Sequence, residues 1–339
     1  LGSTTLAEGD VAYNLSAGMT GFGVALALPF ALFAMFPAWL NTLPKSGGWM
    51  TTVKVVLGFL ELALAFKFLS VADMTSHWGI VKYELFLGIW VLVAIGMALY
   101  VFGLIKFHHD SPVKKLNMLR LVMGSGLVIL AVYLMSGFMY NNDTKTYNSL
   151  KLLSGLAPPA NYNFLLAKQE GDQTIKSRFA SFTKCANNLD CFKDYYEGLE
   201  YAKETGKPIL LDFTGYGCVN CRKVEDQIWV KERVWQLLAK DYVMASLYVD
   251  DRKELDEVKY SSTTGEKLRN VGRLWADFQI ANFKQNSQPL YVLVTPDQKV
   301  LSVPKTYIPS EGAKEYADYL ECGLDQFGKH YSKDLLGSR

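Results

Sequence analysis

Residues 207–226 read KPILLDFTGYGCVNCRKVED. Ile209 to Thr214 is an apolar run of strand length, and Asp212 is its one charged residue. Gly215-Tyr216-Gly217 is a glycine-bracketed turn, and it delivers Cys218-Val219-Asn220-Cys221 onto a helical pattern that continues to about Trp229. Upstream, Cys191 to Thr205 reads as a helix closed by Gly206-Lys207-Pro208.

Working downstream, a helix is expected over Lys231 to Lys240 and a strand over Val243 to Val249. Asp250 to Asn270 is polar and reads as an inserted loop, followed by a helix over Val271 to Phe283. Gln288-Pro289 then introduces a strand, Leu290 to Thr295, a Pro296-Asp297 turn, and a second strand, Val300 to Val303. A last helix covers about Ser310 to Leu324. Strand, helix, strand, helix, hairpin, helix, with a right-handed first crossover, is the α/β thioredoxin arrangement. It sets Cys218 between the end of a central strand and the start of a helix.

Two residues between cysteines on a first helical turn bring the sulfurs within disulfide distance. The leading thiol faces the positive end of the helix dipole, which favours its thiolate. Cys218 is therefore expected to be the exposed nucleophile and Cys221 the deeper, resolving thiol. Pro289, in the cis form, is expected from the fold to set a backbone edge beside them. Asp212 on the incoming strand and Glu225 one turn past Cys221 are candidates to lie under the sulfurs, where buried carboxyls raise a thiol pKa and move protons; a solvated surface position is the rival reading for each. The rival to redox chemistry for the whole motif is half a zinc site, which needs a second Cys or His pair at suitable spacing. Cys185 and Cys191 are too widely spaced for that and read as a structural disulfide, with a second exchanging pair or free thiols as alternatives. Cys322 is expected to be a buried free thiol on the last helix.

The chain has 339 residues, a net charge of +2 and five cysteines, none before Cys185. The charge gives no argument for nucleic acid as a partner. Four apolar stretches precede the soluble half: about Met19 to Leu40, Met50 to Ser70, Glu84 to Ile105 and Leu116 to Phe138. Each is long enough for the roughly 20 residues of helix that span a bilayer core. Lys45 lies between the first two stretches, and Lys106, Lys114 and Lys115 lie between the last two. The loop between the second and third carries only Lys82. The basic loops belong to the cytoplasm, so everything after Met139 falls outside it. Glu61, in mid-span, is expected to face protein or water, as a helix–helix hydrogen bond or in a cavity used by thiol chemistry. His108 and His109 read as solvated. Leu1 to Thr5 offers neither an initiator Met nor a signal-like basic start, so the chain reads as a piece of a longer one. The expected organisation is a transmembrane region over 1–140 (the latter half of a larger membrane domain), a linker over 141–180 and a thioredoxin-like domain over 181–339.

KPILLDFTGYGCVNCRKVED, YVMASLYVDD and QPLYVLV resemble the C-terminal domain of DsbD-type thiol:disulfide interchange proteins. LALPFALFAMFPAWL, LPKSGGW and VKVVLGFLELALAFKFLS resemble the latter part of that family's transmembrane electron-transfer domain, which is related to cytochrome c biogenesis proteins. The resemblance implies a bacterial inner-membrane, multi-pass protein whose C-terminal domain lies in the periplasm. Electrons would come from cytoplasmic thioredoxin, cross on a membrane cysteine pair, pass to Cys218 and Cys221, and reach periplasmic thiol–disulfide proteins. No bound cofactor is implied. It also gives Asp212 and Glu225 the task of tuning the thiol. Two departures stand out: the expected spans contain no Cys, so the membrane pair would lie upstream in a parent protein, and Tyr216-Gly217 replaces a Trp beside the first Cys. The reading is a protein-disulfide reductase. Its rivals are a periplasmic thiol oxidase or isomerase, and a non-catalytic, membrane-tethered binding module.

Overall fold

The computed structural model describes residues 10–35, 48–107, 116–142, 146–165 and 172–337. Lys45, His108, His109, Lys114 and Lys115 lie outside them. The chain divides into two compact units, residues 1–64 with 92–131, and residues 65–91 with 132–339.

Among the described residues, four helices supply the apolar half: α1 (Asp10–Met35), α2 (Gly48–Ser76), α3 (Tyr83–Val101) and α4 (Met118–Ser136). Among the described residues, three stretches are long and apolar enough to cross a membrane: Thr51–Ser76, Tyr83–Val101 and Met118–Ser136. The expected count of four is thus three here. The described apolar part of α1 is the shorter Ser16–Leu28, and the end of the predicted first span lies outside the described residues. In the first unit, Arg120 satisfies its guanidinium with the Val101 carbonyl at 3.2 Å and the Thr52 hydroxyl at 2.7 Å. That is the behaviour demanded of a charge among apolar helices. Glu61, expected against protein or water, is exposed on the surface of α2.

The second unit is built on a six-stranded sheet. Its strands are β3 (Phe182–Lys184), β4 (Asp190–Phe192), β5 (Ile209–Thr214), β6 (Val243–Tyr248), β9 (Leu290–Val294) and β10 (Lys305–Thr306), and they run in the order β10-β9-β5-β6-β4-β3. Two-residue strands β1 (Tyr140–Asn141) and β2 (Thr146–Tyr147), and a hairpin of β7 (Glu254–Tyr260) and β8 (Lys267–Asn270), form separate ladders. β5 pairs parallel to β6 and antiparallel to β9, so it is a central strand, and all six of its residues are buried. The helices are α5 (Gln173–Arg178), α6 (Tyr195–Thr205), α7 (Val219–Gln227), α8 (Glu232–Lys240), α9 (Val271–Phe283) and α10 (Ala313–Gly337).

Strand alternation sorts the core into two layers. Ile209, Leu211 and Phe213 pack with Leu199 and Ala202 of α6 and Trp275 of α9. Leu210 packs on the other face with Val224 of α7, Val234 and Leu238 of α8, and Leu320 of α10. Burial of these side chains contributes roughly 1.5–3 kcal/mol each.

Three expectations shift. Cys191 lies on β4, because Asp194 caps α6 by accepting from the Tyr196 and Glu197 amides and so starts that helix at Tyr195. The polar stretch read as a loop holds β7 and β8; β7 is exposed on both faces and shows no alternation to read. Val300 makes only an isolated bridge to Val294, and the pairing strand is Lys305–Thr306, beyond Pro304, which has no amide proton to donate.

Candidate active site

The end of β5, the turn after it and the head of α7 converge on the two cysteines. Cys218 and Cys221 are joined by a disulfide with a Cα–Cα distance of 5.3 Å. Cys218 is the N-cap residue of α7, and its Sγ accepts from the Cys221 amide at 3.1 Å. It therefore occupies the end of the helix where a negative sulfur is stabilised. Cys218 is half-buried, whereas Cys221 is 1% exposed. One sulfur is reachable by a visiting protein and the other is not.

The turn is pinned by a residue that sequence reasoning passed over. One Asp250 oxygen accepts from the Tyr216 amide at 2.8 Å and the other from the Gly217 amide at 2.9 Å. The turn closes against the Gln288–Pro289 loop, where the peptide bond is cis: a Cβ added at Gly215 would fall 2.9 Å from both Asp250 Oδ2 and Gln288 Oε1. Gln279, fully buried, donates to the Ser287 carbonyl at 2.8 Å and holds that loop from below. Tyr216 stacks on Tyr248 with ring centroids 4.2 Å apart, and the Lys193 ammonium lies over both rings.

Beneath the motif the structure brings the two predicted acids together with a residue not predicted. Asp212 is 2% exposed and accepts from Ser246 Oγ at 3.0 Å. Burial pushes its carboxyl up to about 7, against the Ser246 hydrogen bond and the charge of Arg222. Glu225 is also buried, and loss of water pushes its carboxyl up to about 8 against the pull of the Arg222 guanidinium at 2.6 Å. The solvated-surface reading of either acid does not hold. Arg222 follows Cys221 directly and was not singled out, since a charged residue after CxxC ordinarily lies in solvent. The only available signal was its spacing, three residues before Glu225 on one helix face.

Cys185 and Cys191 form a second disulfide, with Cα atoms 5.9 Å apart, and both sulfurs are buried in the layer that includes Leu189 and Trp229. Cys322 departs from expectation: it is exposed. Tyr316, Ala317, Leu320 and Gly323 form the buried stripe of α10, and residue 322 falls off that spacing. Among the described residues, no group of three or more His, Cys, Asp or Glu is placed to hold a metal ion.

A family model described as thioredoxin-like matches residues 190–296. Relatives bearing the description thiol:disulfide interchange protein DsbD align to a larger part of the chain. The one from Pseudoalteromonas atlantica is 24% identical over 213 residues, 63% of this chain and 28% of its own length. One from Vibrio vulnificus is 29% identical over 224 residues, 66% of this chain and 29% of its own. The Escherichia coli K12 relative is 25% identical over 245 residues, 72% of this chain and 35% of its own. The chain thus spans about a third of the length of these relatives. A solved structure described as DsbH oxidoreductase matches 41% of this chain and 87% of its own, at 23% identity and a TM-score of 0.30.

Proposed function

We propose that this DsbD-type, thioredoxin-like chain is a membrane-anchored protein-disulfide reductase that works through Cys218 and Cys221. The observation that carries this reading is the asymmetry of the pair: a half-buried sulfur capping a helix, and a buried one three residues on, above a buried acid. In the reduced form, the Cys218 thiolate attacks a partner disulfide, forms a mixed disulfide and expels one partner thiolate. Cys221 then attacks Cys218 Sγ, closes the Cys218–Cys221 bond and releases the second partner thiolate. The partner gains two electrons and, with two protons, becomes a dithiol.

The DsbD relatives and the apolar helices support an inner-membrane location. The basic loops predicted in the cytoplasm would put residues after Met139 in the periplasm. No cysteine precedes Cys185, so electrons would reach Cys218 from a membrane cysteine pair outside this chain, drawn in turn from cytoplasmic thioredoxin. The recipients would be periplasmic thiol–disulfide proteins.

The test is trapping with Cys221→Ala in cells. A covalent adduct at Cys218 that reductant dissolves is the expected result. Its absence under every redox condition tried would remove the exchange reading. The reduction potential separates the rivals: a value near that of thioredoxin supports a reductase, and a much higher one supports an oxidase.

A further inference from the structure

A cavity of about 320 Å³ adjoins the redox motif. Tyr216, two residues before Cys218, and Arg222, directly after Cys221, both line it. Its basic lining residues are His77, Lys82, Lys184, Lys193 and Arg222, and among the described residues that line it there is no Asp or Glu. Cavities of this size take small organic ligands. A cleft lined by one sign of charge concentrates ions of the other.

Three of these bases have a carboxylate partner. Asp251 pairs with His77 at 2.8 Å, Asp190 with Lys184 at 2.7 Å and Glu225 with Arg222 at 2.6 Å. Lys82 and Lys193 form no ion pair among the described residues and lie over rings instead, Lys82 4.5 Å from the centre of Phe164 and Lys193 4.8 Å from that of Tyr248. A ring face attracts a cation without cancelling its charge. The acids nearby are engaged elsewhere. Asp73 accepts from the Tyr162 hydroxyl and the Ile80 amide, Asp194 caps α6, and Glu197 accepts from the Ser181 amide and hydroxyl. Burial pushes the Lys193 ammonium down, Asp251 pulls it up and Arg222 pushes it down again, although part of the side chain meets solvent.

The donors left over decide what kind of anion fits. Arg222, the guanidinium that could fork onto a phosphate, is committed to Glu225. The Tyr162 and Tyr216 hydroxyls donate to Asp73 and Asp251. Two ammonium groups remain, and Met74, Pro159 and the rings of Tyr162, Tyr216 and Tyr248 supply apolar wall. We propose that this cavity binds a small organic carboxylate, its acid group held by Lys82 and Lys193 and its apolar body against the tyrosine rings. No covalent bond forms or breaks in this binding, and it stands whether or not Cys218 exchanges.

The test is lysine footprinting of the oxidised full-length chain in phosphatidylcholine nanodiscs. Amines are acylated with an N-hydroxysuccinimide ester and the rate at each lysine is read by mass spectrometry. The probes are phthalate, inorganic phosphate, and sodium chloride at matched ionic strength. Phthalate should slow acylation of Lys82 and Lys193 several-fold relative to sodium chloride and leave the exposed Lys203 of α6 unchanged. Lys193→Met should remove the protection at Lys82. If that variant does not fold, Lys82→Met read at Lys193 serves the same purpose. Equal protection by sodium chloride would overturn the proposal, since screening alone would explain it. Phosphate protecting as well as phthalate would overturn the carboxylate assignment. Nanodiscs containing phosphatidylglycerol test for a lipid headgroup: full protection there without any probe, and none added by phthalate, would also overturn it. Each of these readings is made without a protein partner, so failure of the exchange reading would appear separately, as failure of Cys221→Ala to trap anything.

Discussion

Gly155 lies against Val219, the residue that follows the nucleophilic cysteine: a Cβ built on Gly155 would fall 2.7 Å from the Val219 Cα. Gly155 also has φ at +82°, and its carbonyl accepts from the Lys67 ammonium at 2.6 Å. Residues on either side are tied down as well. The Tyr162 hydroxyl donates to Asp73 at 2.6 Å, and the Phe164 amide donates to Glu84 at 2.8 Å. The segment over 148–165 is thus a seated strap rather than a free linker.

Gly155→Ala should unseat this strap, because it combines a left-handed backbone with a backbone clash. The expected cost is about 1–3 kcal/mol. Amide hydrogen exchange over 150–160 should accelerate, and alkylation of reduced Cys218 should become faster. Unchanged exchange over that segment would show that the contact with Val219 is not made in solution.

Asp250 holds the turn before Cys218 through two amides, so Asp250→Ala leaves the Tyr216 and Gly217 donors without their acceptors. Each lost partner costs roughly 1–3 kcal/mol when the donor is not rehydrated. We expect a lower unfolding midpoint and several-fold slower reduction of a model disulfide. Asp250→Asn keeps one acceptor oxygen and should fall between the two. Wild-type kinetics in Asp250→Ala would remove the turn from any part in placing Cys218.

Much of this site was legible because its chemistry is local. A buried strand, a glycine turn and a helix head can be read in residues 207–226 alone, and so can the pairing of two cysteines three apart. What depends on distant packing was not. Arg222 looks like a surface residue until β5 and β6 close over it. Asp250 acts on a turn more than thirty residues away. The strap carries Gly155 and Pro158-Pro159, composition that reads as a linker, and only the neighbours of Gly155 show why a glycine is there. By residue type Cys322 belongs in the core, whereas the stripe of α10 turns it outward.

The Cys185–Cys191 bond closes a loop that includes the turn at 186–188 and the start of β4. Replacing both cysteines by Ala should lower stability by about 2 kcal/mol, the loop-closure value for so short a ring. Exchange through Cys218 should persist in the folded fraction. Thermal unfolding followed alongside disulfide reduction separates the two effects. A double variant that is fully stable but inactive would make this pair part of the electron path.

Asp212 makes stability depend on pH in a direction that can be worked out. Its carboxyl is raised from an ordinary 3.8 to about 7 by burial, so over that interval the folded state holds a proton that the unfolded state has lost. The stabilisation from this group is complete below the unfolded value and is lost as pH rises through the folded one. Each unit of separation corresponds to roughly 1.4 kcal/mol, so the full effect amounts to a few kcal/mol. Asp212→Asn preserves the shape and a partner for Ser246 but carries no charge to desolvate. Urea unfolding of the full chain in detergent should find it close to wild type at about pH 4 and more stable by a few kcal/mol at about pH 8. A stability difference that stays constant between those conditions would mean that Asp212 ionises in the native protein as readily as in the unfolded chain. In that case the carboxyl beneath the cysteines would not be the site that retains the proton.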